Sequence, residues 1–321
     1  MQGMAAGKFW IVLNPAAGKG RAERRRAEIE RFMRDFANGR GFADVRGFEM
    51  VLTKGPGDAL EIARNLPVAE GDAVVAAGGD GTCNEVANGL LSRGAPPPPL
   101  GVLPVGRGND FSSAVGIPQD LGEALRILVG GSPRASDVGF VRGGLFPAGR
   151  HFLNVVGIGF DTKVVFEAQK MRIRNDLSYA LGALLTVARY EPSPVLRIRF
   201  DGSEMTLPVA IVSVANGRRM GVRFRMAPDA LLDDGLLDIC VVPHQPSRLR
   251  ILRIVRLYTK GTQAGFPGVR TGRASRFRLE AIEGGMAAHC DGETLCRDGA
   301  SLEISCVPGA LRIIGPPVPL A

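Results

Sequence analysis

The chain has 321 residues, of which 45% are hydrophobic and 22% are charged, and it has a net charge of +8. That length suits two domains, the composition excludes a disordered chain, and no apolar run reaches the roughly 18 residues of a membrane-spanning helix. Five cysteines at irregular spacing predict reduced thiols and a cytoplasmic protein rather than a disulfide framework.

The positive charge favours an anionic partner, but it does not choose among nucleic acid, nucleotide and anionic lipid. Aromatic residues make up only 6% of the chain and are not interleaved with basic ones, which argues against nucleic-acid binding. The densest basic stretch, "GRAERRRAEIERFMRDF", mixes Arg with Glu at helical spacing and predicts a solvated helix face with ion pairs.

Strands and helices are predicted to alternate over residues 1–135. Four apolar runs, each followed by a helical segment or a glycine-rich turn, are "KFWIVLN", "FEMVLT", "DAVVAAGG" and "PPPPLGVLPV". Asp58 is the predicted N-cap of the second helix. Strands that are apolar throughout and separated by amphipathic helices predict an α/β domain with a parallel sheet, whose ligands bind at the carboxyl ends of the strands.

Residues 136–308 show a different pattern of short, partly alternating strands with frequent turn signals. This pattern predicts a second domain that is mostly an antiparallel β-sandwich. Two helical stretches interrupt it, "DLSYALGALLTVARY" and "PSRLRILRIVRLYTK". The first of these, residues 177–190 with Tyr179 and Tyr190 near its ends, fits either an acyl-chain groove or ordinary core packing.

Three glycine-rich loops fall at the carboxyl ends of the predicted parallel strands: "NPAAGKG", "GGDGT" and "PVGRGND". Glycine lets backbone N–H groups approach a phosphate, and Lys19 adds a cation. The first loop is not a Walker A loop, because Leu13 stands where the first Gly belongs and Gly20 follows the Lys. "GRGNDF" and "GIGFDT" lack the third glycine of a dinucleotide fingerprint, since Phe111 and Thr162 occupy it.

The motifs together resemble the catalytic domain of the diacylglycerol, sphingosine and ceramide lipid kinases in its bacterial form. The resemblance runs from "NPAAGKG" through "GGDGTCNEVANGL", "PVGRGNDFSSAVGIP", "NVVGIGFDTKV" and "APDALLDDGLLD" to "HCDGETL". The first domain's core is shared by NAD kinases and phosphofructokinases, whereas the later segments favour the lipid-kinase branch. The resemblance implies an active site in the cleft between the domains and a tail, residues 309–321, that returns to the first domain.

The resemblance implies a set of residues that contact ATP. They are Asn14, Pro15, Ala16, Ala17, Gly18, Thr53, Gly79, Asp80, Gly81, Thr82, Cys83, Asn84 and Glu85, with Lys19 added as a phosphate cation. Arg107 stands where the family usually has Thr, so either that ATP contact is lost or the Arg reaches a phosphate directly. Asp110 either takes part in the site or caps the helix beginning at Phe111.

Phosphoryl transfer needs positioning, charge neutralisation and a base for the attacking hydroxyl. Asp80, on a glycine turn, is predicted to hold or orient Mg-ATP, with a helix cap as the alternative. By resemblance Glu293 is the general base for the lipid hydroxyl, Asp291 assists the metal-bound network, and Asp137 supports it; a surface hairpin turn is the alternative for the "DGE" segment. A zinc site at "HCDGETLC" is disfavoured, because no second Cys/His pair exists.

The resemblance also implies a structural Mg²⁺ held by Asp234 and by the backbone of Leu231 and Leu236. Asp233 and Asp238 fit ordinary hairpin acids equally well.

The leading hypothesis is an ATP-dependent lipid kinase that phosphorylates diacylglycerol or a related lipid alcohol. We expect it in the cytoplasm, in peripheral contact with an anionic inner membrane face and without a nucleic-acid partner. The oligomeric state stays open, with a homodimer as one alternative. Other hypotheses are a soluble-metabolite kinase of the NAD kinase type and a non-catalytic nucleotide- or lipid-binding relative.

Overall fold

A computed structural model describes residues 7–40, 47–170, 193–245 and 247–316. The helix predicted at 177–190, with Tyr179 and Tyr190, lies outside these ranges. Within them, no helix is long and apolar enough to cross a membrane.

The chain divides into two compact units. The first comprises Met1–Val138, Leu232–Asp234 and Pro308–Ala321, and the second comprises Gly139–Leu231 and Gly235–Val307. The chain passes between the units inside two long strands, near residue 138 and near residue 307. The short segment Leu232–Asp234 lies in the sequence between residues of the second unit but groups with the first unit. No feature of the sequence indicated this assignment.

The first unit contains strands and helices in alternation. In chain order they are β1 (Phe9–Leu13), α1 (Ala17–Asp35), β2 (Phe48–Leu52), α2 (Asp58–Asn65), β3 (Ala73–Gly78), α3 (Asp80–Leu91), β4 (Leu100–Pro104), α4 (Asp110–Ala114), α5 (Leu121–Gly130) and the start of β5 (Ser132–Gly143). A π-helical turn, Phe36–Arg40, follows α1.

The sheet of the first unit is parallel, in the order β2-β1-β3-β4. The end of β15 (Ser301–Gly315) adds a further parallel strand, with Ile313 opposite Leu100. Every residue of β1, β3 and β4 is buried, because these central strands are covered on both faces. The predicted parallel α/β domain is confirmed.

One predicted helix cap differs in the structure. The N-cap of α2 is Gly57, and Asp58, the predicted cap, is the first helical residue. The Asp58 carboxylate accepts a hydrogen bond from the backbone N of Lys54 at 2.7 Å. The amides at the start of α2 are instead satisfied by Glu85, a residue of α3, which sequence spacing could not indicate.

The second unit consists mostly of strands. After the end of β5 come β6 (Phe146–Phe152), β7 (Val155–Gly159), α6 (Phe160–Lys170), β8 (Val195–Phe200), β9 (Ser203–Ala215), β10 (Leu237–Pro243), α7 (Arg248–Lys260), β11 (Arg270–Ala274), β12 (Arg276–Glu283), β13 (Met286–Cys290), β14 (Glu293–Gly299) and the start of β15.

Strand β9 joins two groups of antiparallel strands. Its first half, from Ser203 to Pro208, pairs with β8, which continues to β12 and β15. Its second half, from Ile211 to Ala215, lies between β7 and β10. Strands β13 and β14 extend the β7 side, and β11 extends the β10 side. The predicted antiparallel β-rich domain is confirmed.

Strands β7 and β10 and the second half of β9 are buried on both faces. On β9, Val212 and Val214 pack into one core with β8 and β12, whereas Ala210, Ile211 and Ala215 pack into a second core with α6 and α7. A sheet with helices on one face and strands on the other needs apolar residues at consecutive positions. This explains why "VAIVSVA" is apolar at every position except Ser213.

Candidate active site

The first glycine-rich loop is tied to α3 through Asn14. Its backbone N donates to the carbonyl of Ala77, and its side-chain Nδ2 donates to Oγ1 of Thr82 at 3.1 Å. Its Oδ1 accepts from the backbone N of Ala16 at 3.1 Å. Asn14 therefore orients the loop that follows β1, which accounts for an Asn at this position even before any ligand is considered.

Left-handed backbone follows in the same loop. Gly18, Lys19 and Gly20 have φ values of 62°, 61° and 78°. Lys19 is one of the few non-glycine residues with positive φ, a conformation that is costly for an L residue, and its side chain is exposed. The turn folds the first loop back before α1 continues, so that backbone amides remain at the carboxyl edge of the sheet.

Arg21 connects the first loop to the third loop by hydrogen bonds. Its guanidinium donates to the carbonyl of Val105 at 3.4 Å and to the carbonyl of Gly106. The sequence analysis did not single out Arg21, because it belongs to a stretch of arginines typical of a solvated helix. Its contact partners lie more than eighty residues away and are therefore set by the fold.

The second loop brings Asp80 against the third. Gly79 is the N-cap of α3, and Asp80 is the first residue of that helix. Oδ1 of Asp80 accepts a hydrogen bond from the backbone N of Phe111 at 3.0 Å. A Cβ on Gly108 would lie 2.7 Å from Oδ2 of Asp80. The carboxylate is therefore held beside the third loop, where it accepts from an amide at the start of α4.

Two glycines let the second and third loops touch. A Cβ on Gly106 would lie 2.3 Å from Cα of Gly79 and 2.8 Å from its N. The backbone N atoms of Val105 and Gly106 both donate to the carbonyl of Gly78. Side chains here would separate the loops, so the glycines allow this close approach, which we call the loop cradle.

Asn109 shapes the third loop. It is the N-cap of α4 in a left-handed conformation, with φ of 55°. Its Nδ2 donates to Oε1 of Gln119 at 2.8 Å and to the carbonyl of Gly106, while its Oδ1 is buried without a hydrogen-bond partner. Sequence reasoning missed Asn109 because it weighed only its neighbours Arg107 and Asp110. Arg107 is exposed and Asp110 is buried.

The other predicted nucleotide contacts also belong to the first unit. Thr53 is buried after β2, and Glu85 accepts from the amides of Gly57 and Ala59 at 3.0 and 3.2 Å. The remaining ones line the loops: Pro15, Ala16 and Ala17 lie between Asn14 and the left-handed turn, Gly81 is exposed, and Thr82, Cys83 and Asn84 are buried on α3. Burial raises the pKa of the Cys83 thiol well above its usual range, so this side chain stays neutral.

In the second unit, Asp291 is bound to the backbone. Its Oδ1 accepts from the amides of Asn154 and Val155 at 3.0 and 2.9 Å, and its Oδ2 accepts from the amide of Leu153 at 2.7 Å. Asp291 and Gly292 have φ of 47° and 84° and form the two-residue loop of the β13–β14 hairpin. An Asp-Gly pair with positive φ at both positions fits a type I′ turn.

Glu293 follows the turn as the first residue of β14. Its Oε2 lies 2.9 Å from Nη2 of Arg150, and its side chain is 44% exposed against 16% for the arginine. The guanidinium of Arg150 also lies 5.0 Å from the ring centroid of Phe146. Arg150, which the sequence analysis did not single out, therefore positions the carboxylate predicted to be the base.

The predicted metal residues are divided between the units. Asp234 belongs to the first unit, and Leu231 and Leu236 belong to the second; all three are half-buried. Asp137, in the first unit, accepts from the amide of Gly309 at 2.8 Å. Among the described residues, no group of three or more His, Cys, Asp or Glu side chains is arranged to hold a metal.

Comparisons with known proteins identify the family. Residues 8–141 match the family model described as the diacylglycerol kinase catalytic domain, and residues 154–315 match the one described as the YegS C-terminal NAD kinase beta sandwich-like domain. "Probable lipid kinase YegS" of Escherichia coli O9:H4 is 32% identical over 267 residues, which is 81% of this chain and 84% of that relative. The chain belongs to the bacterial lipid kinase family.

Two further comparisons extend over most of this chain. The diacylglycerol kinase of Bacillus subtilis is 29% identical over 288 residues, which cover 88% of each chain. A crystal structure of a diacylglycerol kinase from Bacillus anthracis superposes with a TM-score of 0.69 at 23% identity, covering 97% of each chain, and supports the fold. Membership in a kinase family implies that the protein is a kinase and uses ATP.

The structure brings many of the predicted site residues together in two groups. The three loops with Asp80 form one group in the first unit, and Asp291 and Glu293 with Arg150 form the other in the second. Arg21, Asn109 and Arg150 join these groups as positioning residues. Arg21 and Arg150 contact residues that are distant in the sequence, and Asn109 contacts Gly106 of its own loop and Gln119. Sequence patterns did not indicate these contacts.

Proposed function

We propose that the protein transfers the γ-phosphate of ATP to the hydroxyl of diacylglycerol or a related lipid alcohol. The observation that supports this most is the meeting of three loops around Asp80, with Gly79 against Gly106 and the Asp80 carboxylate against Gly108. A cradle without side chains beside a carboxylate suits a nucleotide triphosphate, and family membership favours a lipid acceptor.

The loop residues fit ATP. The lack of a Cβ at Gly79, Gly106 and Gly108 lets the loops lie against each other, and the exposed Lys19 can approach an anionic ligand. In our proposal Asn14 orients the first loop, Arg21 keeps it against the third, and Asp80 holds the position of the triphosphate. The exposed Arg107 offers a cation where the family usually has Thr.

Oxygen ligands in this chain suit Mg²⁺, which would neutralise phosphate charge when bound. Asp80 is the carboxylate nearest to the loop cradle, and Asp234 with the carbonyls of Leu231 and Leu236 is the proposed structural ion site. These ligands are carboxylate and backbone oxygens, the chemistry that Mg²⁺ prefers over softer donors.

Glu293 is the proposed base. It accepts the proton of the lipid hydroxyl as the oxygen attacks phosphorus, and Arg150 fixes the direction of its carboxylate. Asp291 is proposed as a positioning residue: its carboxylate accepts three backbone amides and so holds the turn that presents Glu293. We also propose that the enzyme works in the cytoplasm, in peripheral contact with an anionic membrane.

Transfer of label from radioactive ATP tests this function, with diacylglycerol, ceramide, sphingosine and NAD offered in turn. We expect labelled lipid, a loss of about 100-fold or more in Glu293→Gln, and a comparable loss in Asp80→Asn. Glu283→Gln is the matched control, because Glu283 is an exposed acid on β12. Label in NAD alone, or in no acceptor, would contradict the proposal, as would variants that match the control.

A further inference from the structure

Helix α7 has one face anchored in the protein. The helix begins after Ser247, whose hydroxyl accepts from the backbone N of Arg250, and it ends at Gly261 with φ of 74°. Its buried residues are Ile251, Ile254 and Tyr258, which pack into the core beside β7, β9 and β10. The orientation of α7 on the second unit is therefore fixed by this apolar stripe.

The opposite face combines leucine with basic residues. Leu249 is 78% exposed and Leu252 is 44% exposed. At 100° per residue, Leu249 lies opposite the buried stripe, and the exposed Arg256 and Lys260 lie close to it on the same face. The helix, "RLRILRIVRLYTK", contains five basic residues and no acidic one.

The positive charge of α7 is not neutralised within the part of the chain that the structure describes. Arg250 and Arg253 lie over the ring of Phe266, at 5.8 and 5.7 Å from its centroid, and no ion pair involves a residue of the helix. Some exposed arginines elsewhere in the second unit do have carboxylate partners; Arg278, for example, pairs with Glu280 and Glu303. The charge of α7 is thus available to an external anion.

A neighbouring turn extends this surface. The backbone N of Arg225 donates to the carbonyl of Tyr258 at 2.8 Å, which holds the turn of residues 220–225 against the last turns of α7. Val222 in this turn is 49% exposed, and Arg223 is also exposed. Among the described residues five large apolar side chains are exposed, and three of them belong to α7 or to this turn: Val222, Leu249 and Leu252.

We propose that α7 docks on a bilayer that contains anionic lipid, with Leu249 and Leu252 entering the headgroup region while Arg256 and Lys260 contact lipid phosphates. This inference rests on the proposed function, because a long-chain lipid alcohol is dissolved in a membrane. A helix that binds at a membrane interface combines exposed apolar side chains with basic residues on the same face, as α7 does. A second copy of α7 would repel the first, and a nucleic-acid backbone would leave the two leucines without apolar contacts.

Sedimentation with vesicles measures the docking without using kinase activity. We expect binding to vesicles of equal parts phosphatidylglycerol and phosphatidylcholine, and weak binding to phosphatidylcholine alone. Arg256→Gln with Lys260→Gln should weaken binding by about 25-fold, or about fivefold per basic residue. The matched control is Arg31→Gln with Arg126→Gln, which removes the same charge from exposed positions of α1 and α5 and should bind like the unmodified protein.

A tryptophan at position 249 reports insertion. The native chain has one tryptophan, Trp10, which is 7% exposed and lies in β1. Leu249→Trp should show a blue-shifted emission with the anionic vesicles and none with phosphatidylcholine. The control is Leu145→Trp, at a site that is 66% exposed in another part of the second unit, and its emission should not shift.

The docking inference and the proposed function can fail separately. Phosphorylation of a short-chain diacylglycerol in neutral detergent micelles tests the function without a bilayer. If micellar activity is present but the α7 variants bind vesicles as tightly as the control, the docking inference is wrong. If no lipid is phosphorylated but vesicle binding still depends on α7, the docking inference is supported and the proposed function is wrong. Tighter binding to a DNA duplex than to anionic vesicles, at equal salt, would overturn the docking inference.

Discussion

The carboxylate of Asp291 is bound to three consecutive backbone amides, at Leu153, Asn154 and Val155. Hydrogen bonds to a charged acceptor are stronger than neutral ones, and removing the acceptor leaves buried N–H groups without partners. In the same hairpin, burial raises the pKa of the Cys290 thiol, and the nearby acids Asp291 and Glu293 add to this effect. Asp291, which was predicted to act beside Glu293 in the active site, therefore also has the structural task of binding these three amides.

Asp291→Ala tests that task. We expect a loss of about 3 kcal/mol in the free energy of unfolding, because three amides lose their acceptor and an alanine must adopt positive φ. Asp291→Asn should cost less, since Asn tolerates this backbone conformation and keeps one oxygen. Urea unfolding measures both. Glu293→Gln is the control, and a destabilisation by this variant equal to that of Asp291→Ala would contradict the assignment.

His151 makes stability depend on pH. Burial lowers the pKa of His151 below its ordinary 6.5, because the imidazolium would lose its hydration. The unfolded chain then binds a proton near pH 6.5 that the folded protein binds only at lower pH. Stability is therefore highest above this range and falls as pH decreases through 6.5. Urea midpoints at about pH 7.5 and about pH 5.5 should differ less in His151→Gln than in the unmodified protein. An equal difference in the two proteins would contradict this role of His151.

At the scale of elements, the contact between two loops depends on Gly106. A Cβ there would meet the backbone of Gly79 at 2.3 Å, and backbone cannot move aside as a flexible side chain can. We expect Gly106→Ala to lower the free energy of unfolding by about 1 to 3 kcal/mol and to weaken nucleotide binding, as measured by urea unfolding and calorimetry.

Gly81→Ala is the matched control for stability. A Cβ on Gly81 would meet nothing within 4 Å, and the residue lies in the first turn of α3. Alanine favours a helix over glycine by up to about 1 kcal/mol, so the stability should stay equal or rise. Equal losses in the free energy of unfolding for Gly106→Ala and Gly81→Ala would contradict the close contact of Gly106 with Gly79.

At the scale of the whole molecule, the first unit is completed by the end of the chain. Leu311, Ile313 and Ile314 are buried, and Ile313 pairs with Leu100 of β4. The single tryptophan, Trp10, lies in the same unit and gives it a fluorescence signal. The first unit therefore includes a strand that follows the second unit in the sequence.

Ile313→Ala should lower the free energy of unfolding of the first unit by about 2 to 5 kcal/mol, because it removes buried methyl groups from a packed core. Trp10 fluorescence during urea unfolding measures this. Ile282→Ala, at a position of the second unit that is 43% exposed, is the control and should change stability by less than about 0.5 kcal/mol. A Trp10 transition unaffected by Ile313→Ala would contradict the role of the last strand.

Local sequence patterns were enough to predict several features of the fold. Apolar runs separated by helical segments indicated the parallel sheet, because a strand covered on both faces needs apolar residues at every position. Glycines after those runs indicated the loops that form the cradle. Asp291-Gly292 indicated a turn because few other residue pairs accept positive φ twice.

The hydrogen-bond and ion-pair partners of the polar side chains could not be predicted from such patterns. Glu85 caps α2, Arg21 joins two loops, and Arg150 holds Glu293, and in each case the partner lies 26 or more residues away in the sequence. No periodicity or spacing rule reaches across such a separation, because a side chain's hydrogen bonds depend on which elements the packed core brings beside it. Asp58 shows this: sequence spacing favoured it as the cap of α2, but the fold supplied the carboxylate of Glu85 instead.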